Sequence, residues 1–516
     1  MNWRRVAVTG WVAAAVASCA LPAVAAVRPA ACFTSHMVLL QGMPLAIFGT
    51  ADPGEPITVE FAGAKAESRA DAAGRWQVTL PPQQACREPR PLIISGRDHA
   101  LTLDDVLVGE VWLCAGQSNM LLPLARATDA TREITAATRP LLRLHDWRAA
   151  AGGDRGGYTA AQLAALEPGR FATGQWRPCT PETAAGFSAV GYFFGARLAE
   201  VLDVPVGIVA VAVGGTPAEA WVAHADLAAA ATRPLVAGDW LENPALAGWC
   251  SDRARENLGR AVREGDRIPG DDLGPHHPFK PGFMWEAGVA PFVPLAIRGV
   301  CWYQGESNAD SPARVAQHEA IFPALVAGWR RAWARPELPF GVVQLPGLGR
   351  PDWPAFRDSQ RRLVEATPHA GLVVTIDLGD PREVHPADKR PIGERLAAWA
   401  LADTYGRPGP ATGPRPRAAT RTEDGGARVT FTSTGGGLVT RDGGPPVLVE
   451  LAGTDGEFQP ATASIEGEAL VVRPAGERPS GGIQKIRHAW RAFPEPRPNL
   501  TGKTGLPATP FELEVE

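Results

Sequence analysis

The sequence holds no Cys-x-x-Cys pair and no His-Glu-x-x-His run, which removes the usual thiol redox and zinc-protease motifs. It has no basic stripe and no acidic tail. Its 51 Lys and Arg stand against 55 Asp and Glu, a formal net charge of −4, so nucleic acid is not an expected partner. Past Ala25 no apolar run approaches the roughly 18 residues of a membrane span. No repeat of fixed period occurs. The pair His276-His277 sits in a Pro/Gly-rich loop and reads as solvated rather than metal-bound. Neither a metal nor a cofactor is expected.

What is present describes an ordinary globular protein, 45% hydrophobic and 21% charged over 516 residues, room for several domains. Residues 1–25 read as a signal peptide, with a basic start at Arg4-Arg5, an apolar stretch from Val6 to Ala20 and an A-x-A site at Ala23-Val24-Ala25. Export to the periplasm or medium is the expectation. Val16-Ala17-Ser18-Cys19 offers the alternative of a lipoprotein anchored at Cys19. Export permits disulfides. Cys32 with Cys86 and Cys179 with Cys250 are conceivable pairs, whereas Cys114 and Cys301 lie in apolar strands and read as buried thiols.

Short strand-like runs with turn signals fill 27–105, among them Leu45 to Gly49, Ile57 to Phe61 and Trp76 to Leu80, and suggest a small β-sandwich. From 106 to 405 strands and helices alternate, as in a parallel sheet covered on both faces. Apolar strands are read at Val106 to Cys114, Val204 to Val213, Ala296 to Trp302, Phe340 to Leu345 and Leu372 to Ile376. Helices are read at Phe187 to Leu202, Val315 to Trp333 and Ala387 to Leu401. Residues 230–284 look like an irregular excursion over the active-site face. A Pro-rich linker then leads to a C-terminal β domain over 417–516.

Four strand ends carry polar clusters: Gln117-Ser118-Asn119, Gly214-Gly215-Thr216, Gln304-Gly305-Glu306, and Asp377 through Asp380 to His385. In a parallel sheet such ends meet along one edge. Ser118 is also an acceptable N-cap for the following helix. Read with the other clusters, it is a nucleophile candidate. Of the ten histidines, His385 is best placed as its base, while His99, His318 and His369 read as surface residues. Asp377, Asp380 and Glu383 are near enough to fix the imidazole tautomer. The backbone N–H groups of Ser118 and Gly215 and the side-chain amide of Gln304 are candidate oxyanion donors. No Gly-x-Ser-x-Gly elbow surrounds Ser118, which excludes the standard α/β-hydrolase.

These residues resemble the sialate O-acetylesterase family of the SGNH-hydrolase superfamily. The resemblance rests on Val108 through Met120, Phe187 to Phe193, Val213 to Thr216, Arg298 through Asn308, and His385 to Lys389. It extends to Ser35-His36-Met37 and Gly505 to Phe511, and so spans nearly the whole chain past the signal segment. It implies a flavodoxin-like three-layer hydrolase domain flanked by β-sandwich-like parts, and metal-free removal of O-acetyl groups from sugars. Carried over, Ser118 is the nucleophile, His385 the base, and Gly215 and Gln304 oxyanion positions. Asn119, Glu306 and Asn308 are assigned to substrate positioning. Many SGNH enzymes place Asp three residues before the histidine. Arg382 stands there instead, so Asp380 is taken as the acid, with Asp377 and Glu383 behind it. Glu286, in Trp285-Glu286-Ala287-Gly288, departs from a usual Asn and bears on the sugar pocket. The alternatives are an esterase for acetylated xylan or xyloglucan, a lipase-like enzyme, and a glycan-binding protein without catalysis.

Overall fold

The computed structural model describes residues 27–229, 231–265 and 267–516, so the expected signal peptide and the alternative anchor at Cys19 lie outside the described residues. The main path of its largest sheet holds β1 (Ala100–Gly116), β2 (Arg139–His145), β3 (Trp176–Cys179), β4 (Val206–Ala212), β5 (Gly299–Tyr303), β6 (Phe340–Val343) and β7 (Ala370–Val373). Their spatial order is β3-β2-β4-β1-β5-β6-β7. Only the β3–β2 edge is antiparallel. Without that edge pair, β4-β1-β5-β6-β7 follows the 2-1-3-4-5 order of flavodoxin-like sheets, in which ligands sit at the C-terminal ends of the strands. The α/β expectation holds.

The helices used below are α1 (Ser118–Leu121), α2 (Ala189–Leu202), α3 (Gly248–Glu264), α4 (Pro312–Ala332), α5 (Trp353–Glu365) and α6 (Arg390–Asp403). Strand pleating sends alternate side chains of β1 to opposite faces. Trp112 and Cys114 join one core cluster; Val111, Leu113 and Ala115 join the other. On the first face the Trp112 ring meets Phe194 of α2 at 5.2 Å and Trp399 of α6 at 5.9 Å, both edge-on. Glycines in β6 and β7 make room for Trp399, since a Cβ on Gly341 or Gly371 would come within 2.4 or 2.0 Å of its ring. On the opposite face Trp329 of α4 packs on Trp302 of β5 at 5.8 Å.

β1 is one unbroken strand of 17 residues. Its first half pairs with Cys86–Ser95 and Val38–Leu40 of the N-terminal β part, and its second half runs in the central sheet. The expected domain boundary at 105/106 therefore falls inside a strand that belongs to both. The C-terminal part is a seven-stranded antiparallel sheet from Arg415–Arg421 to Phe511–Glu514 around Val429, Leu470, Ile486 and Phe511. The excursion is less irregular than expected. It contains α3, whose Cys250, Ala254, Leu258 and Ala261 form a buried stripe at helical spacing between charged residues. All six described cysteines are free, so neither conceivable disulfide is present among them; Cys114 and Cys301 are buried on paired strands as expected.

At the end of β1, Gly116 has φ +145°, and a Cβ there would lie 2.1 Å from the Tyr303 carbonyl oxygen. Backbone on backbone leaves no side chain to yield. Gly116→Ala is expected to destabilise the fold by more than about 2 kcal/mol, measured by urea unfolding with an unchanged m-value.

Candidate active site

The four polar strand ends do converge. Ser118 after β1, Gly214 and Gly215 after β4, Glu306 and Ser307 after β5, and Val384 and His385 after β7 line one open cleft of about 490 Å³. Gln117, not Ser118, is the N-cap of α1, and Ser118 occupies the first helical position. The capping reading of Ser118 therefore does not hold. A Cβ on Gly214 would stand 3.7 Å from the Ser118 Cβ, so the β4 loop lies against the serine in ordinary contact. Neither the Ser118 nor the Gly215 N–H donates to a protein acceptor among the described residues.

Asn119 ties the strand ends together. Its Nδ2 donates to Glu306 Oε1 and to the Val384 carbonyl at 2.9 Å, and its Oδ1 accepts from Lys389 Nζ. The amide is fully buried, so it shapes the site and does not itself reach into the cleft. Val384 directly precedes His385, so one side chain sets the histidine loop against the serine turn. Glu306 and Lys389 are buried at either end of this link. Burial raises the Glu306 carboxyl above its ordinary range, against the pull of Asn119 and Lys389. Burial lowers Lys389 to about 7, with Glu306 opposing the shift. Glu306 Oε2 is buried without a partner.

His385 is 30% exposed, and its Nδ1 lies 3.3 Å from Glu383 Oε1. The same oxygen accepts the His385 backbone N–H at 2.7 Å, so the pair is held by a local turn. Partial burial pushes the imidazole below its ordinary 6.5; Glu383 pulls it up, while Lys389 and Arg126 push it down.

Asp380, taken from the sequence as the acid, is not the carboxylate brought to His385. Its Oδ1 accepts the backbone N–H groups of Arg382 and Glu383, both at 2.8 Å, and so shapes the turn. Asp377 is held by Arg395 at 2.7 Å and Arg441 at 3.0 Å. Burial alone would raise its carboxyl, but the two guanidinium groups leave it below its ordinary range.

Gln304 is likewise not brought to the cleft. It is fully buried, and its Nε2 donates to Asn308 Oδ1 at 2.7 Å and the Thr216 carbonyl at 3.3 Å. Asn308 is spent in the same network, donating to Glu219 at 3.0 Å and accepting the Ala218 N–H at 2.9 Å. Arg314 closes it with a 2.7 Å ion pair to Glu219. These groups hold the Gly214–Thr216 loop from beneath.

Further corrections concern three histidines. His277 is not solvated but fully buried, between the rings of Tyr158 and Trp240. Burial lowers it to about 3, which keeps it neutral. Its Nδ1 accepts the Phe279 N–H at 3.0 Å, which leaves the proton on Nε2, facing Tyr158 and Asn257. His276 is buried too, with Nδ1 2.8 Å from the Leu166 carbonyl. His318, read as a surface residue, is buried against Phe356 at 4.7 Å. Gly215 has φ +76°, and Phe279 fills the space where its Cβ would be, 2.8 Å away.

Gly153, Asp154, Trp249, Asp310 and Arg350 also line the cleft and were not picked out from the sequence. The buried stripe of α3 was the signal that could have placed Trp249 on an ordered wall. Lys389 carried no such signal beyond its place in the His385 motif.

A covered parallel sheet with serine, histidine and glycine on one cleft at its C-terminal edge is an architecture suited to a hydrolase of the α/β class with flavodoxin-like strand order. Residues 286–402 match the family model "Carbohydrate esterase, sialic acid-specific acetylesterase". The chain is similar to the sialate O-acetylesterase of Homo sapiens, 28% identical over 418 residues, covering 73% of this chain and 71% of the human one. The Mus musculus protein is 27% identical, with 73% of each chain covered. Among solved structures, a carbohydrate acetylesterase from Xanthomonas citri is 30% identical with a TM-score of 0.76, over 95% of this chain and 99% of that one. The chain belongs to the sialate O-acetylesterase family of carbohydrate esterases, and it is a carboxylic ester hydrolase.

Titration of His385 tests the site electrostatics. Its ring resonances should report a pKa below 6.5, since desolvation of the cation outweighs Glu383. Glu383→Gln removes the group that favours the cation, so the midpoint should fall further; a rise would contradict this placement of Glu383.

Proposed function

We propose that the protein removes O-acetyl groups from sugars by acyl transfer through Ser118, with His385 as general base and Glu383 as the carboxylate on its Nδ1. The observation that carries this reading is the shared cleft of Ser118, Gly215 and His385. Ser118 Oγ attacks the acetyl carbonyl while His385 Nε2 takes its proton. The N–H groups of Ser118 and Gly215 hold the oxyanion. The ester C–O bond breaks, and the sugar alcohol leaves with the proton from His385. Water, deprotonated by His385, then splits the acetyl-enzyme to acetate and free Ser118. Asn119 and Glu306 act in this scheme by positioning, and Gln304 and Asn308 by supporting the Gly215 loop.

Sialic acid esters are one substrate reading, supported by what the mammalian relatives are named for. Esters of uncharged glycans such as acetylated xylan or xyloglucan are the second. The cleft favours the second: the exposed carboxylates of Asp154 and Asp310 line it against the single exposed cation of Arg350, a poor setting for a sugar carboxylate. Export belongs to the same proposal, on the strength of the basic and apolar run before Ala25.

Acetate release from O-acetylated sialic acid, acetylated xylan and acetylated xyloglucan tests the reading. Ser118→Ala should lower kcat by roughly 10⁴–10⁶-fold on every substrate that wild type cleaves. A fully active Ser118→Ala protein would remove the nucleophile assignment. The acid limb of kcat/KM should follow the His385 titration and lie below pH 6.5, because the base must be neutral to act.

A further inference from the structure

One wall of the cleft takes no part in this chemistry. Trp249, at the start of α3, is 38% exposed, and only Leu121 and Val262 among the described large hydrophobic side chains are comparably exposed. Of the three, Trp249 alone lines the cleft that holds Ser118 and His385. Two contacts fix its ring. Nε1 donates to Asp310 Oδ2 at 2.9 Å, and Phe279 meets it edge-on, with centroids 5.4 Å apart.

Of the two supports, Phe279 is buried and Asp310 is exposed. Asp310 lies two residues beyond Asn308, the buried node under the Gly215 loop. Phe279 is held through its N–H by His277, and its ring fills the volume that a Cβ on Gly153 or Gly215 would need, at 2.2 and 2.8 Å. An indole face is thus left open to solvent at a set angle and is coupled by ring contact to the loop beside Ser118. Asp310 Oδ1 accepts no hydrogen bond among the described residues, and the carboxylate stands at the edge of that ring, where Oδ2 accepts the indole N–H.

A pyranose ring offers C–H bonds on one face and hydroxyls around its rim. A rigid aromatic face flanked by a carboxylate acceptor complements both. A sugar carboxylate in the same place would meet Asp310 as a like charge. We infer that Trp249 and Asp310 form a subsite for an uncharged pyranose ring adjoining the acetylated sugar. The enzyme then acts on acetylated oligosaccharides in preference to acetylated monosaccharides. This rests on the proposed function, because the acetylated sugar must occupy the Ser118 end of the same cleft.

Binding and turnover test it separately. Calorimetry on Ser118→Ala protein, titrated with xylotetraose and with cellotetraose, should detect at least one tetrasaccharide. Adding Trp249→Ala should weaken that binding by about tenfold or more, and Trp249→Phe by less. In turnover, Trp249→Ala should raise KM for an acetylated xylo- or cello-oligosaccharide. The loss of kcat/KM on that substrate should exceed the loss on 4-nitrophenyl acetate by about tenfold. Equal losses on both, or no binding of either tetrasaccharide, would overturn the subsite. If Trp249→Ala does not fold, Trp249→Phe and Asp310→Ala carry the same comparison. If wild type releases acetate from no ester, the proposed function falls, and the calorimetry alone still decides the subsite.

Discussion

The side-chain amide of Asn119 is the contact on which the site depends. It is buried between an ammonium, a carboxylate and a backbone carbonyl, and it satisfies all three. Its orientation is not interchangeable: swapping O and N would set donors against Lys389 and an acceptor against Glu306. Losing a buried partner of this kind costs about 1–3 kcal/mol, more where the orphaned group is charged. Both ends here are ionisable and sit away from water. Because the link joins the residue after Ser118 to the residue before His385, its geometric consequence falls on the pair proposed as nucleophile and base.

The C-terminal β part serves the same end. Arg441 and Arg497 reach from the C-terminal part to the loop between β7 and His385, pairing with Asp377 and donating to the carbonyls of Leu378 and Gly379 at 3.0 and 2.9 Å. From the other side, Gln41 of the N-terminal part meets Glu110 of β1 at 2.7 Å, where Arg298 also pairs with it. Loops beside an active site are mobile unless tied down. For the His385 loop the ties come from the C-terminal part, while β1 runs unbroken from the N-terminal part into the central sheet.

Much of this was legible in the sequence, for a physical reason. Buried parallel strands are continuous apolar runs, so the polar residues that break them mark the catalytic edge. Ser118, Gly215 and His385 stood at such breaks. The direction of each neighbouring side chain was not legible. Gln304 and Asn308 lie at the same break as Glu306, yet they turn inward to hold the Gly215 loop. Asp380 and Glu383 are both close to His385 in sequence. Only the turn, made by Asp380 accepting two backbone N–H groups, brings Glu383 to the imidazole. The excursion looked irregular because charged residues dominate α3 and hide its narrow buried stripe. His277 looked solvated because its burial comes from aromatic rings 37 residues before it, at Trp240, and over a hundred before it, at Tyr158.

The central claim is that Asn119 makes Ser118 and His385 one reactive unit. The most direct measurement is the rate at which a fluorophosphonate labels the protein, with the modified residue located by peptide mass spectrometry. Wild type should be labelled at Ser118. Asn119→Ala, shown to be folded by circular dichroism, should be labelled there at least about 100-fold more slowly, although serine and histidine are both present. Labelling at another residue, or an undiminished rate at Ser118 in Asn119→Ala, would contradict the account.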